Sequence, residues 1–159
     1  MGSGSKHSSA GDGQTMPRVM VVEDEVLIRL AIADDLRREG FEVLEAGSGD
    51  EAVALLDGGV AVDLIFTDVS MPGAIDGIGL TETVTNFFPE ISVVLTSANE
   101  VVLDSDRLQH VGFLPKPYLP VEVVNLIRAQ LNERGGQDAD DDGRRGNGSA
   151  RGRGDPRPA

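Results

Sequence analysis

Short apolar runs alternate with helix-spaced apolar positions through the middle of this chain, and that alternation predicts βα units around a parallel sheet. Val19–Met20–Val21–Val22 is continuously apolar, as a strand covered on both faces must be. Leu27, Ile28, Ala31, Ile32 and Leu36 follow at helical spacing, and Gly40 closes that helix at a C′ position. A second strand is predicted over Phe41–Ala46, and a short helix over Asp50–Leu56 that Gly58–Gly59 stops. Leu64–Ile65–Phe66 reads as the third strand, Gly79–Phe88 as a helix ended by Pro89, and Ile91–Leu95 as the fourth strand. Glu100–Val111 predicts a weak fourth helix and Gly112–Pro115 a short fifth strand. Pro120 opens a last helix whose Val124, Ile127 and Leu131 form its apolar stripe. The expectation is five strands and five helices, one domain over Pro17–Arg134.

The two ends carry no such pattern. Met1–Met16 is Gly/Ser-rich, of the kind expression leaders carry, and Gly135–Ala159 is Gly, Asp and Arg without a large apolar anchor. Both segments are expected to be disordered. Each is neutral: Lys6 balances Asp12 at one end, and five Asp balance five Arg at the other. The net charge of −13 therefore belongs to Pro17–Arg134. A domain that acidic repels nucleic acid and anionic membranes, so neither is an expected partner of the folded part. Cysteine is absent, which removes disulfides, thiolate metal sites and Cys nucleophiles. No apolar run reaches the length of a membrane span, and no signal-peptide core stands at the N-terminus, so a cytoplasmic location is expected.

In open parallel sheets, ligands sit beyond the carboxyl ends of the strands. Strand one runs into Glu23–Asp24–Glu25, strand three into Asp68, strand four into Thr96–Ser97 and strand five into Lys116–Pro117. Parallel strands bring these ends to one rim. Two carboxylates about 5 Å apart repel by about 3 kcal/mol at an effective dielectric near 20. Three of them require a cation or raised pKa values. Hard oxygen donors suit Mg2+, which takes one or two carboxylates and leaves room for phosphate oxygens. The same acids argue against a flavin or dinucleotide, whose phosphates need backbone N–H groups after strand one; neither G-x-G-x-x-G nor a P-loop occurs. Phosphatases with an Asp nucleophile commonly carry D-x-D on their first strand, whereas here the acid stands on strand three as Asp68–Val69–Ser70. Lys116 adds an ammonium at a junction whose backbone the following Pro117 restricts.

The run Val21–Val22–Glu23–Asp24–Glu25, then Phe66–Thr67–Asp68–Val69–Ser70–Met71–Pro72 with Asp76–Gly77, then Leu95–Thr96–Ser97, then Phe113–Leu114–Pro115–Lys116–Pro117–Tyr118 resembles the receiver domains of two-component response regulators. The resemblance covers Pro17–Arg134. It implies a flavodoxin-like (βα)5 doubly wound α/β fold with strand order 2-1-3-4-5. It further implies an acidic pair at Glu23 and Asp24, a phosphoacceptor at Asp68, a switch hydroxyl at Thr96, a basic residue at Lys116 and an aromatic switch position at Phe113. Ser70 takes the position whose main-chain carbonyl joins a Mg2+ shell, with Mn2+ as the alternative ion.

The implied partners are a histidine kinase or histidine phosphotransfer protein and a downstream protein. The implied state is a monomer or a phosphorylation-dependent dimer. The implied role is signalling rather than enzymatic turnover: a phosphoryl group moves to Asp68 and remodels a face made by the fourth predicted helix, the fifth strand and the last helix. The polar tail is too short for an output domain, so interaction or relay is the expected output. A phosphorelay shuttle, a phosphate sink and a stand-alone metal-dependent phosphatase are the alternatives. Three departures from the family pattern stand out: Gly73–Ala74–Ile75 adds a residue beside Asp76–Gly77, Phe113 lacks the hydroxyl of a tyrosine, and the stretch from Thr96 to Lys116 is slightly short, which implies a brief or mobile fourth helix.

Overall fold

The structure, a computed structural model, describes residues 15–99, 108 and 110–141, the last five of these as backbone only. The expected disordered leader therefore lies outside the described residues except at its last two positions. The predicted fourth helix lies outside them except at Leu108, His110 and Val111.

Five strands, β1 (Arg18–Val22), β2 (Glu42–Ala46), β3 (Leu64–Asp68), β4 (Ser92–Ser97) and β5 (Gly112–Pro115), form one parallel sheet in the order β2-β1-β3-β4-β5. Four helices are seen among the described residues: α1 (Val26–Arg38), α2 (Gly49–Asp57), α3 (Gly77–Phe87) and α4 (Pro120–Asp141). This is the flavodoxin-like doubly wound arrangement with the expected strand order. Each face of the sheet has its own apolar cluster, because side chains alternate along a strand. Val19 and Val21 point with Leu64, Phe66 and Val94 toward α1 and α4. Met20 and Val22 point with Ile65, Val93 and Leu95 toward α2 and α3. The central strands β1, β3 and β4 are buried almost throughout, as their unbroken apolar runs require. Each fully buried Leu, Ile or Val side chain contributes about 1.5–3 kcal/mol relative to exposure.

Local chemistry sets the element ends. Gly40 takes φ 94° just after the C-cap of α1, a conformation open to glycine because it lacks Cβ. Ser48 caps α2 by accepting from the Glu51 N–H at 3.0 Å, and the Glu51 carboxylate accepts in turn from the N–H of Gly47, the residue before the cap, at 2.7 Å. Asp76 caps α3 by accepting from Gly79 N–H at 2.8 Å.

One boundary differs from the sequence expectation. Regular structure was expected to stop at Arg134, with disorder from Gly135 onward, yet α4 continues as helix to Asp141. Once a helix is nucleated, each added residue gains a hydrogen bond for one further pair of dihedrals. Extension past the packed stripe then needs no tertiary anchor, and positions 135 and 136 have none within 4 Å of a Cβ. Among the described residues, no helix is long and apolar enough to cross a membrane.

Candidate functional site

Parallel pairing aligns the strand ends at one rim. Val22 is in register with Thr67, Asp68 with Thr96, Thr96 with Leu114 and Ser97 with Pro115. Neighbouring strands are spaced by about 4.8 Å. The residues that follow each strand are thereby delivered to one place, although they lie far apart in the chain. Carboxylate oxygens of Glu23, Asp24 and Asp68 all fall within 4.8 Å of one another. Glu23 is 2% exposed and Asp68 8%, whereas Asp24 is open to solvent.

Asp68 is held through both oxygens. Oδ2 accepts from Lys116 Nζ at 2.7 Å, and Oδ1 accepts from the main-chain N–H of Ser70 at 3.1 Å. Lys116 reaches it from the end of β5, where its own N–H donates to the Ser97 carbonyl at 2.8 Å and the Lys116–Pro117 peptide is cis. The N-terminal turn of α3 packs tightly underneath. A Cβ at Gly77 would stand 2.0 Å from the Asp68 carbonyl oxygen and 2.6 Å from the Val69 Cα, so no other residue fits without displacing the end of β3. Thr96 is fully buried, and its Oγ1 has no hydrogen-bond partner among the described residues. Phe113, on the edge strand β5, is half-buried against the α2/α3 cluster.

The charges here are out of balance. Burial raises Glu23 from an ordinary 4.5 to about 7; the Asp68 charge and a hydrogen bond with Asp24 add to the rise, while the Glu25 N–H and Lys116 oppose it. Burial by itself would lower Lys116, but its hydrogen bond to Asp68 and the charges of Asp68 and Glu23 outweigh that, and its pKa is raised. Burial likewise raises Tyr118, which packs edge-on against Phe66 at 6.0 Å between ring centroids. Three hard oxygen donors at this separation, one of them already driven toward its neutral form, fit a divalent cation such as Mg2+.

The loop with the additional residue is pinned rather than free. Ala74 N–H donates to Asp50 of α2 at 3.2 Å, and Ile75 lies against Gly49. The strand-end pattern missed two contributors. Arg29 donates from NH1 to the Glu23 main-chain carbonyl at 2.8 Å and lies 3.5 Å from Glu45. Its sign in the chain is a cation inside the apolar stripe of α1, one turn after Glu25, matched by a charged Glu45 within a strand. Gly77 was noted only as part of Asp76–Gly77; its packing role depends on a distant chain segment.

Beside the acidic rim, a groove of about 340 Å³ runs between α1 and α4, lined chiefly by Ile28, Ile32, Tyr118, Val123 and Val124. It is apolar and ends near Lys116, which borders a shallower hollow with Ile28, Ala98, Pro117 and Tyr118.

Residues 19–128 match the family model of the response regulator receiver domain. The transcriptional regulatory protein PdtaR of Mycobacterium tuberculosis is 36% identical over 119 residues, which cover 74% of this chain and 57% of that protein. The chain spans about half the length of the curated relatives it matches. Among solved structures, the receiver domain from the hybrid histidine kinase CckA has a TM-score of 0.60 at 35% identity and covers 72% of this chain and 98% of that one. The response regulator protein TrrA from Thermotoga maritima, solved in complex with Mg2+-BeF, has a TM-score of 0.65 at 25% identity, with 72% and 99% covered.

Proposed function

The chain belongs to the response regulator receiver domain family, and from that membership we propose that Asp68 accepts a phosphoryl group from a phosphohistidine on a histidine kinase or histidine phosphotransfer protein. One oxygen of the Asp68 carboxylate attacks phosphorus; the new P–O bond forms as the P–N bond breaks, and the imidazole leaves with the electron pair. The observation that carries this reading is the convergence of three carboxylates within 4.8 Å at a rim that also holds the Lys116 ammonium.

The chain's own residues supply positioning and charge, the main needs of phosphoryl transfer. Ser70 N–H and Lys116 fix the orientation of the Asp68 carboxylate, so the attacking oxygen is aimed before the donor arrives. Lys116 then pairs with a phosphoryl oxygen as charge moves onto the new group. The Thr96 hydroxyl, buried beside Asp68 across the β3–β4 register, is placed to donate to another. Glu23, Asp24 and Asp68, with the Ser70 main-chain carbonyl, would hold Mg2+ or Mn2+, which when bound neutralises charge on the phosphoryl oxygens. The apolar groove between α1 and α4, continuous with the hollow over Lys116, offers a helical protein donor a surface beside the acceptor.

The acyl phosphate adds nearly two negative charges to the rim. Movement of the Thr96 hydroxyl toward it, with Phe113 turning inward behind, shifts the population toward a second packing of the β5–α4 face. A downstream protein reads that face.

The test is incubation with acetyl phosphate and Mg2+, followed by intact-mass measurement and hydroxylamine treatment. One hydroxylamine-labile phosphoryl group on the wild type, lost in Asp68→Asn and without Mg2+, is the expected result. A wild type that stays unmodified at saturating donor and Mg2+ refutes the reading.

A further inference from the structure

The loop that carries Glu23, Asp24 and Glu25 leaves β1 and enters α1 within three residues. The Glu25 carbonyl accepts the first helical bond of α1, from Arg29 N–H at 2.9 Å, and three further bonds tie the main chain. Glu23 N–H donates to the Ala46 carbonyl at 3.1 Å, Glu25 N–H donates to Glu23 Oε1 at 3.2 Å, and the Glu23 carbonyl accepts from Arg29 NH1 at 2.8 Å. Among the described residues, Arg29 is the sole side-chain donor to this loop.

The guanidinium is itself held in place. The whole Arg29 side chain is 18% exposed, its Nε lies 3.5 Å from Glu45 Oε1, and the other Glu45 oxygen accepts from Arg37 at 3.0 Å. Nε is buried and makes no hydrogen bond among the described residues, so the ion pair with Glu45 is its compensation. Gly47 closes the far side, where a Cβ would stand 3.3 Å from Arg29 NH1. A cation this well packed, aimed at one carbonyl and neutralised by a neighbour on β2, works through geometry rather than through net charge at the rim.

We infer that Arg29 is a positioning residue for the cation site: by holding the Glu23 carbonyl it fixes the direction in which the Glu23 and Asp24 carboxylates project toward Asp68. The inference rests on the acceptor-site reading above. Support of this kind behind metal-binding side chains typically changes metal affinity by about 10–100-fold when removed.

The sign of the effect separates geometry from electrostatics. Arg29→Met removes the donor and a positive charge together. If charge mattered most, Mg2+ binding would tighten; if the hold on the loop matters, binding weakens. The expected result by Mg2+ titration of the full chain, followed by NMR, is weakening by about tenfold in R29M. Arg29→Lys, which keeps a donor and the charge, should stay within about threefold of wild type. Acetyl phosphate labelling of R29M should be slow at limiting Mg2+ and recover at saturating Mg2+, a split that general destabilisation does not produce.

Without any cation, the Glu25 amide should exchange about tenfold faster in R29M, while Ile65 and Phe66 on β3 stay protected. Should R29M fail to fold, Arg29→Gln takes its place, with weakening expected between that of R29K and about tenfold. R29M (or R29Q in its place) binding Mg2+ as tightly as wild type or more tightly overturns the inference and leaves the acceptor reading standing. A wild type that binds no Mg2+ at all overturns both.

Discussion

The two ends of the sheet carry similar residue types and arrange them in opposite ways. At the amino end, charges are paired and open to water. Arg18 N–H donates to Asp63 at 2.7 Å, and its guanidinium meets Glu42 at 2.5 Å with the Arg18 side chain one-third and the Glu42 side chain half exposed. Arg134 caps the turn below by donating to the Pro89 carbonyl. At the carboxyl end, three carboxylates crowd together, two of them buried, against one ammonium. A buried hydroxyl without a partner among the described residues does not distinguish the ends, since Ser92 at the start of β4 has one as well as Thr96 near its finish. The neighbours do: Thr96 stands in register with Asp68, whereas Ser92 stands in register with Leu64. Charge that is matched and hydrated stabilises little and does no chemistry. Charge that is buried and unmatched is a site waiting for ligands.

That contrast can be broken most directly by exchanging carboxylates for amides. Asp68→Asn should abolish acetyl phosphate labelling, while Asp63→Asn at the other end should leave its rate within about twofold, both read by mass spectrometry. Equal effects of the two would erase the distinction. Lys116→Met should slow labelling by about 100-fold, the usual size for loss of one preorganised charged donor in phosphoryl or acyl transfer. Stopped-flow comparison with wild type at saturating Mg2+ measures it. Packing under the rim sharpens the picture further. Gly77→Ala should destabilise the fold by about 1–3 kcal/mol in urea unfolding, because its Cβ collides with the Asp68 carbonyl. Gly136→Ala, in the open end of α4, should instead be neutral or stabilising by about 0.5–1 kcal/mol.

Protons and salt give the smaller effects. With Glu23 raised to about 7 in the cation-free protein, the folded state keeps a proton that the unfolded chain releases near 4.5. Cation-free stability should therefore decline as pH rises from about 4.5 to about 7, and Mg2+ should remove that decline. Apparent Mg2+ affinity should fall by up to about tenfold per unit below pH 7, since the ion must displace the proton. A flat calorimetric titration between pH 5 and 8 would contradict both statements. At the amino end, Arg18→Ala should change stability by about 0.5 kcal/mol or less through its exposed pair with Glu42, and added salt should shrink even that.

Much of the fold was legible because it depends on neighbours in sequence. Unbroken apolar runs such as Val19–Val22 can satisfy themselves only as strands covered on both faces, and they are. Gly40 at φ 94° and Gly59 at φ 88° end helices in backbone conformations that other residues reach with difficulty, and Pro120, whose fixed φ suits a first helical turn, opens α4. The candidate site was legible for a related reason: a parallel sheet collects whatever follows each strand at one rim, so acids after β1 and β3 and an amine after β5 were bound to meet. The resemblance to receiver domains supplied the strand order, which periodicity leaves open.

By itself, then, the sequence determined the alternating architecture, the strand ends that meet at the candidate site and the sign of the charge there, because each follows from local pattern and covalent order. Tertiary structure alone decided how those groups are held. It placed Arg29 behind Glu23 and against Glu45, brought α3 so close to Asp68 that position 77 admits only glycine, and moored the Gly73–Ile75 loop to α2. These contacts join segments whose meeting depends on the packing of whole elements to within a few tenths of an ångström, and a linear pattern of residue types carries no distances.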